Sequence, residues 1–176
     1  MADILICDDD PTFLLACKLL LAKSAGHRCH TAKNTDEAAA ILKKQKIDVL
    51  LLDIEMRTPD EGLDFLPKLR EREPDLPGII TSGRTDFEAV RRALREGAWD
   101  FSPKDSPPEE LLHKVGLALQ HAKDRHEVSL SQAELRRNVR HEAILGQGAA
   151  AERIRATLGK FARSAASTIE ADPLGS

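Results

Sequence analysis

Five short apolar runs recur along the first hundred residues, and the segments between them repeat apolar positions at helical spacing. The runs are Asp3 to Cys7, a weaker one near His27 to Thr31, Ile47 to Leu52, Gly78 to Thr81, and Ala98 to Ser102. Short apolar stretches that stop at polar or turn residues predict strands buried on both faces. Helix one follows Pro11, which suits a first helical turn, and carries Phe13, Leu14, Cys17, Leu20 and Leu21 on one face until Gly26 closes it. Helix two starts at Asn34 or Thr35, where Asn34 and Glu37 have the spacing of a cap, and continues through Ile41 and Leu42. Helix three begins after Gly62 with Leu63, Leu66 and Leu69 and ends at Pro74. Helix four carries Phe87, Val90 and Leu94 and stops at Gly97. Helix five starts near Pro107-Pro108-Glu109-Glu110, with proline and acids in its first turn, and packs Leu112, Val115 and Leu119. Strand and helix alternating five times predict right-handed crossovers and an α/β fold, a parallel sheet covered on both faces.

The polar residues that end these runs form a pattern of their own. Asp8 and Asp9 follow the first strand, Asp53 the third, Thr81 the fourth, and Lys104 the fifth. Ligands of an open α/β sheet bind at the rim formed by the strand carboxyl ends. Carboxylates, a hydroxyl and an ammonium gathered there describe a site for a divalent metal and a phosphoryl group. Asp10, next in line, is better suited to capping helix one than to binding metal.

Composition narrows the alternatives. With 31% charged and 41% hydrophobic residues, the 176-residue chain fits one soluble domain plus an extension. No apolar run has the length of a membrane span, and Met-Ala-Asp-Ile lacks the basic start of a signal peptide, so the expected location is the cytoplasm. Residues 121–176 hold nine Lys and Arg against seven Asp and Glu. Neither that segment nor the acidic remainder has the basic excess or helix-turn-helix signature that direct DNA binding requires. Cys7, Cys17 and Cys29 lack metal-ligand spacing and read as small packing residues.

Asp8-Asp9, Asp53, Thr81-Ser82-Gly83 and Gly97-Ala98-Trp99-Asp100-Phe101-Ser102-Pro103-Lys104, in this order and at strand ends, resemble the receiver domain of bacterial two-component response regulators. The likeness covers residues 1–120. It implies a flavodoxin-like, doubly wound five-stranded parallel sheet of order 2-1-3-4-5, followed by a C-terminal helical extension. It also implies that Asp53 accepts a phosphoryl group, with Mg2+ held by Asp8, Asp9, Asp53 and the backbone carbonyl of Glu55. Lys104 and Thr81 would contact phosphoryl oxygens, and Phe101 would be the switch aromatic, moving by packing because it has no hydroxyl. The physical logic is simple. A carboxylate and a phosphoryl donor are both negative, so a metal and an ammonium must neutralise them and fix the line of attack.

Two departures from the family pattern stand out. Asp105 follows Lys104 where receivers have a proline in a cis peptide; a non-proline cis bond costs about 2.5–4 kcal/mol, so the loop is expected either trans and rearranged or strained. The run Asp53-Ile54-Glu55-Met56-Arg57-Thr58-Pro59-Asp60-Glu61-Gly62 is one residue longer than the usual spacing to its glycine.

Beyond the receiver, residues 121–143 read as a linker helix continuing helix five, with Val128, Leu135 and Val139 as a short seam for dimerisation. Residues 144–176 read as a short helical segment, with Ile154, Leu158 and Phe161 at helical spacing, and a disordered tail. Residues 142–168 resemble the opening of the AAA+ domain in NtrC-type, sigma-54-dependent activators. Gly159-Lys160 is not a nucleotide-binding loop, because Ile154 stands where its first glycine belongs and Phe161 replaces the Ser or Thr.

The sequence therefore predicts a signalling switch rather than an enzyme, one that promotes its own phosphorylation and dephosphorylation. Its expected partners are a sensor histidine kinase or phosphotransfer protein, and a second copy through the helix four, strand five, helix five face or the linker helix. The expected output is transcriptional regulation, with no direct DNA or membrane contact by this chain. An aspartyl-phosphate hydrolase of similar topology is the rival enzyme reading, although Asp53-Ile54-Glu55 lacks the Asp-x-Asp such enzymes carry. A phosphorylation-independent interaction module is the other.

Overall fold

In a computed structural model, residues 1–84 and 87–125 are described. The elements run β1 (Asp3–Cys7), α1 (Pro11–Ala25), β2 (Arg28–Ala32), α2 (Thr35–Leu42), β3 (Val49–Leu52), α3 (Glu61–Arg72), β4 (Gly78–Ser82), α4 (Phe87–Arg95) and β5 (Asp100–Pro103). A fifth helix, α5, covers the described residues 108–125. All strand pairs are parallel and the sheet order is β2-β1-β3-β4-β5. The linker from residue 126 onward, its seam and the segment 144–176 lie outside the described residues.

The pleat splits the apolar runs between two cores. Leu5, Cys7, Leu50, Leu52 and Ile80 face one layer with Ala38, Leu63, Leu66, Leu69, Ala89 and Ala93. Ile4, Ile6, Val49, Leu51 and Ile79 face the other with Leu14, Cys17, Leu21, Leu111, Val115 and Ala118. The central strand β3 is fully buried along its length, which explains its lack of polar alternation.

The helix ends follow local chemistry. Asp10 accepts a hydrogen bond from Thr12 N at 2.8 Å and so caps α1. Gly26 closes the same helix at φ 64°, a left-handed conformation that favours glycine. Asn34 accepts from Glu37 N at 2.9 Å, and Glu37 accepts from Lys33 N at 2.9 Å, so the reciprocal cap forms one residue early.

Two helices differ from expectation. In α4 the buried residues are Ala89 and Ala93, whereas Phe87 is 75% and Leu94 51% exposed. The large apolar residues point outward because small side chains let α4 pack closely on the sheet, a choice periodicity cannot see. Helix α3 begins at Glu61, before Gly62, and contains Pro67. Proline removes one helical hydrogen bond there, while Leu63, Leu66 and Leu69 remain buried on either side of it.

Candidate functional site

Strand register builds the site. Cys7 pairs with Leu52, so Asp8 and Asp53 emerge side by side from β1 and β3. Leu52 pairs with Ile80 and Ser82 with Pro103, which brings Thr81 and Lys104 to the same rim. The β-strand repeat then leaves each polar residue one step past its last apolar neighbour.

Asp8, Asp9 and Asp53 each offer a carboxylate oxygen, and these oxygens lie within 4.8 Å of one another. Asp8 and Asp53 are buried and Asp9 is exposed at the mouth. Lys104 Nζ donates to Asp53 Oδ2 at 2.8 Å and forms an ion pair with Asp8 Oδ2 at 2.7 Å. Two buried oxygens here have no protein hydrogen-bond partner, Asp53 Oδ1 and the Thr81 hydroxyl, and Asp8 Oδ2 has the Lys104 ammonium alone. Buried oxygens left in that state are costly unless another group satisfies them. A cation with oxygen ligands fits the two carboxylates, and an oxyanion fits the hydroxyl.

Electrostatics agree with the geometry. Burial pushes the carboxyls of both Asp8 and Asp53 above their ordinary range, although pairing with Lys104 draws each back. Burial also works against the Lys104 ammonium, but its pairing with Asp53 and Asp8 wins and holds it above its ordinary value. A site with one ammonium among three crowded carboxylates has an excess of negative charge, which favours a divalent cation.

The remaining candidates fall as follows. Glu55 lies two residues past Asp53, with its exposed side chain 3.7 Å from the Arg84 guanidinium. Phe101 is buried against the α4 side of the core. Its carbonyl accepts from Lys114 Nζ on α5. No cis peptide occurs among the described residues; Lys104-Asp105 is trans, and Lys104 N still donates to Ser82 O at 3.0 Å.

Four residues of this neighbourhood escaped sequence reasoning. Phe13 places its ring under Lys104 Nζ, 4.8 Å from the ammonium to the ring centre, a cation–π contact that helps aim the ammonium. Arg84 reaches Asp60 at 3.0 Å. The long loop after β3 is fastened by Glu61, which is buried and accepts from Thr35 N (3.0 Å), Thr35 Oγ1 (2.8 Å) and Arg57 N (2.9 Å). Arg57 also donates from its guanidinium to Glu61 at 2.7 Å and to Asp36 at 2.8 Å. The Arg57 guanidinium, outweighing burial and aided by Thr35, holds the Glu61 carboxyl down at about 2. The i, i+4 spacing of Arg57 and Glu61 was a visible signal, but nothing in it says that the pair lies in a loop.

The sequence family described as the response regulator receiver domain matches residues 4–116. The DNA-binding transcriptional regulator NtrC of Salmonella typhimurium is 30% identical over 164 residues, covering 93% of this chain and 34% of that protein. A crystal structure of NtrX from Brucella abortus in complex with ADP superposes with TM-score 0.67 at 31% identity, over 73% of this chain and 28% of that one. A CheY-like response regulator receiver domain protein from Methanospirillum hungatei superposes with TM-score 0.65 at 26% identity, over 71% of this chain and 98% of that one. The chain thus spans about a third of the length of the curated relative it matches.

Proposed function

Because this chain belongs to the response regulator receiver domain family, we propose that it is the phosphorylation-dependent switch of a two-component system, with Asp53 as phosphoryl acceptor. The observation that carries this reading is the convergence of three carboxylate oxygens within 4.8 Å around one lysine, with buried oxygens left unpartnered. Asp8, Asp9, Asp53 and the Glu55 carbonyl would hold Mg2+. When bound, the ion supplies positive charge that offsets repulsion between the acceptor and the incoming phosphoryl group.

The chain's own residues do the rest. A carboxylate oxygen of Asp53 attacks the phosphorus of a phosphohistidine on a sensor kinase or phosphotransfer protein, and the nitrogen–phosphorus bond breaks. The fixed Asp53 carboxylate, held by Lys104, supplies the orientation. Lys104 then exchanges an Asp53 oxygen for a phosphoryl oxygen while keeping its contact with Asp8. The unpartnered Thr81 hydroxyl donates to another phosphoryl oxygen, and that new bond draws β4 and its following loop toward Asp53.

The phosphorylated state is favoured only through such differential contacts. Phe101 packs in the core layer that includes Ala89 and Ala93 of α4, and its position would follow Thr81. The resulting change on the α4, β5 and α5 face would be read by a second copy or by the linker that follows residue 120. Outward placement of Phe87 and Leu94 supports a partner surface on α4. NtrC's description as a transcriptional regulator supports transcription as the output.

Incubating the full chain with magnesium and acetyl phosphate tests the assignment. One phosphoryl group per chain should be incorporated, and Asp53→Asn should abolish it. Equal labelling of Asp53→Asn would remove Asp53 as acceptor.

A further inference from the structure

Asp60 and Glu61, adjacent where the long β3–α3 loop enters α3, turn their carboxylates to opposite sides. Asp60 meets Arg84 at 3.0 Å and Arg92 at 3.1 Å, on the side of α4. Glu61 meets Thr35 and Arg57 on the side of α2. The two sides are not equivalent. Asp60 is half-buried, with its side chain 42% accessible, and ion pairs that open to solvent contribute little. Glu61 is buried and both of its oxygens are occupied.

The next residue shows what Glu61 holds in place. Gly62 N donates to Ile54 O at 3.0 Å, and a Cβ on Gly62 would stand 1.9 Å from the Asp53 carbonyl oxygen. The start of α3 is therefore pressed directly on the backbone of the acceptor. Between these anchors the loop closes on itself, with Glu61 N donating to Thr58 O at 3.3 Å and Arg57 N to Glu61 Oε2 at 2.9 Å. Glu55 is the residue spanned by this closure, with its backbone N–H turned to the Asp53 carboxylate and its side chain near Arg84. Ile54 before it is fully buried with its carbonyl bonded to Gly62, and Met56 and Arg57 after it are bonded to Thr58 and Glu61.

We propose that Glu61, through Arg57 and Thr35, is a positioning residue for the metal: the buried carboxylate sets the path of residues 55–57 so that the Glu55 carbonyl faces the carboxylate cluster. This rests on the proposed function, since it presumes a cation at Asp8, Asp9 and Asp53. The loop between β3 and α3 has backbone freedom to lose, and a buried carboxylate bonded to Arg57 and Thr35 is one way to remove it. Side chains that orient a metal ligand without touching the metal typically control affinity by about 10- to 100-fold.

The test is a titration of the full chain with MgCl2 alone, followed by calorimetry and by backbone amide NMR of residues 53–57. Glu61→Gln keeps the shape and removes the charge. Arg57→Gln acts from the other side, at a side chain 52% exposed, where loss of folding is not expected. Both variants should bind Mg2+ about 10-fold more weakly, with shifted Glu55 and Met56 amides. Labelling of Asp53 at saturating Mg2+ should approach the wild-type rate, so that the magnesium requirement rises and the maximal rate does not. A purely structural Glu61 would lower the melting temperature and leave the Mg2+ affinity unchanged, which overturns the proposal. If Glu61→Gln does not fold, Arg57→Gln decides alone. Failure of the wild type to bind Mg2+ would instead refute the proposed function, a different and separable result.

Discussion

Gly62→Ala should destabilise the protein and disable the acceptor, although the substitution improves helix propensity. Gly62 is a helical residue with ordinary backbone, so alanine gains about 1 kcal/mol from reduced chain entropy. Against this, its Cβ would lie 1.9 Å from Asp53 O, 2.8 Å from Asp53 C and 3.0 Å from Ile54 Cα. All three are backbone atoms, and no side chain can swing aside. Relieving the clash moves the start of α3 away from Asp53 by about 1 Å, and overpacking of this kind costs about 1–3 kcal/mol. Stretching the Gly62 N to Ile54 O bond adds about 1 kcal/mol. The net expectation is a loss of about 2 kcal/mol and a melting temperature about 6–10 °C lower. A misplacement of about 1 Å at the acceptor should slow phosphorylation by about 100-fold. Gly116→Ala is the internal control. That glycine is exposed on α5, where a Cβ would meet nothing within 4 Å, so alanine there should stabilise by up to about 1 kcal/mol. Urea denaturation of both variants, with phosphorylation rates measured well below the melting temperature, is the assay. Gly62→Ala within about 0.5 kcal/mol of wild type would refute the close approach.

Magnesium should stabilise the wild type by mass action, by about 2.7 kcal/mol at 100 times its dissociation constant, and a chelator should reverse the gain. The same increment in Asp53→Asn would show that the ion binds elsewhere. The Glu61 carboxyl, lowered to about 2 chiefly by Arg57, contributes stability that is present above its unfolded value of about 4.5 and lost as pH falls toward 2. With half-exposed Arg57 as its partner the contribution is about 2 kcal/mol, so wild type and Glu61→Gln should converge in stability between pH 4.5 and 2. A stability difference that stays constant across that acid range would count against the Arg57 pairing.

Much of the fold was legible because each strand is a short apolar run that stops at a polar residue, and buried parallel strands leave that mark. Caps at Asp10 and Asn34 were legible for the same local reason, since their oxygens bond amides two or three residues away. The burial of α4 was not. Phe87 and Leu94 satisfy helical periodicity as well as Ala89 and Ala93 do, and only the closeness of the sheet chooses the small pair.

The same division runs through the site. From the sequence alone came the residues that end strands, Asp8, Asp9, Asp53, Thr81 and Lys104, because a strand's carboxyl end is a position written in the order of residue types. Tertiary structure decided which of them lean on which: Lys104 over Phe13 and between Asp53 and Asp8, Glu61 against Thr35 and Arg57, Gly62 beneath the Asp53 carbonyl. Those contacts join residues from different elements, and their partners are set by strand register and by the path of a loop. Local composition carries neither, since both follow from how the layers pack.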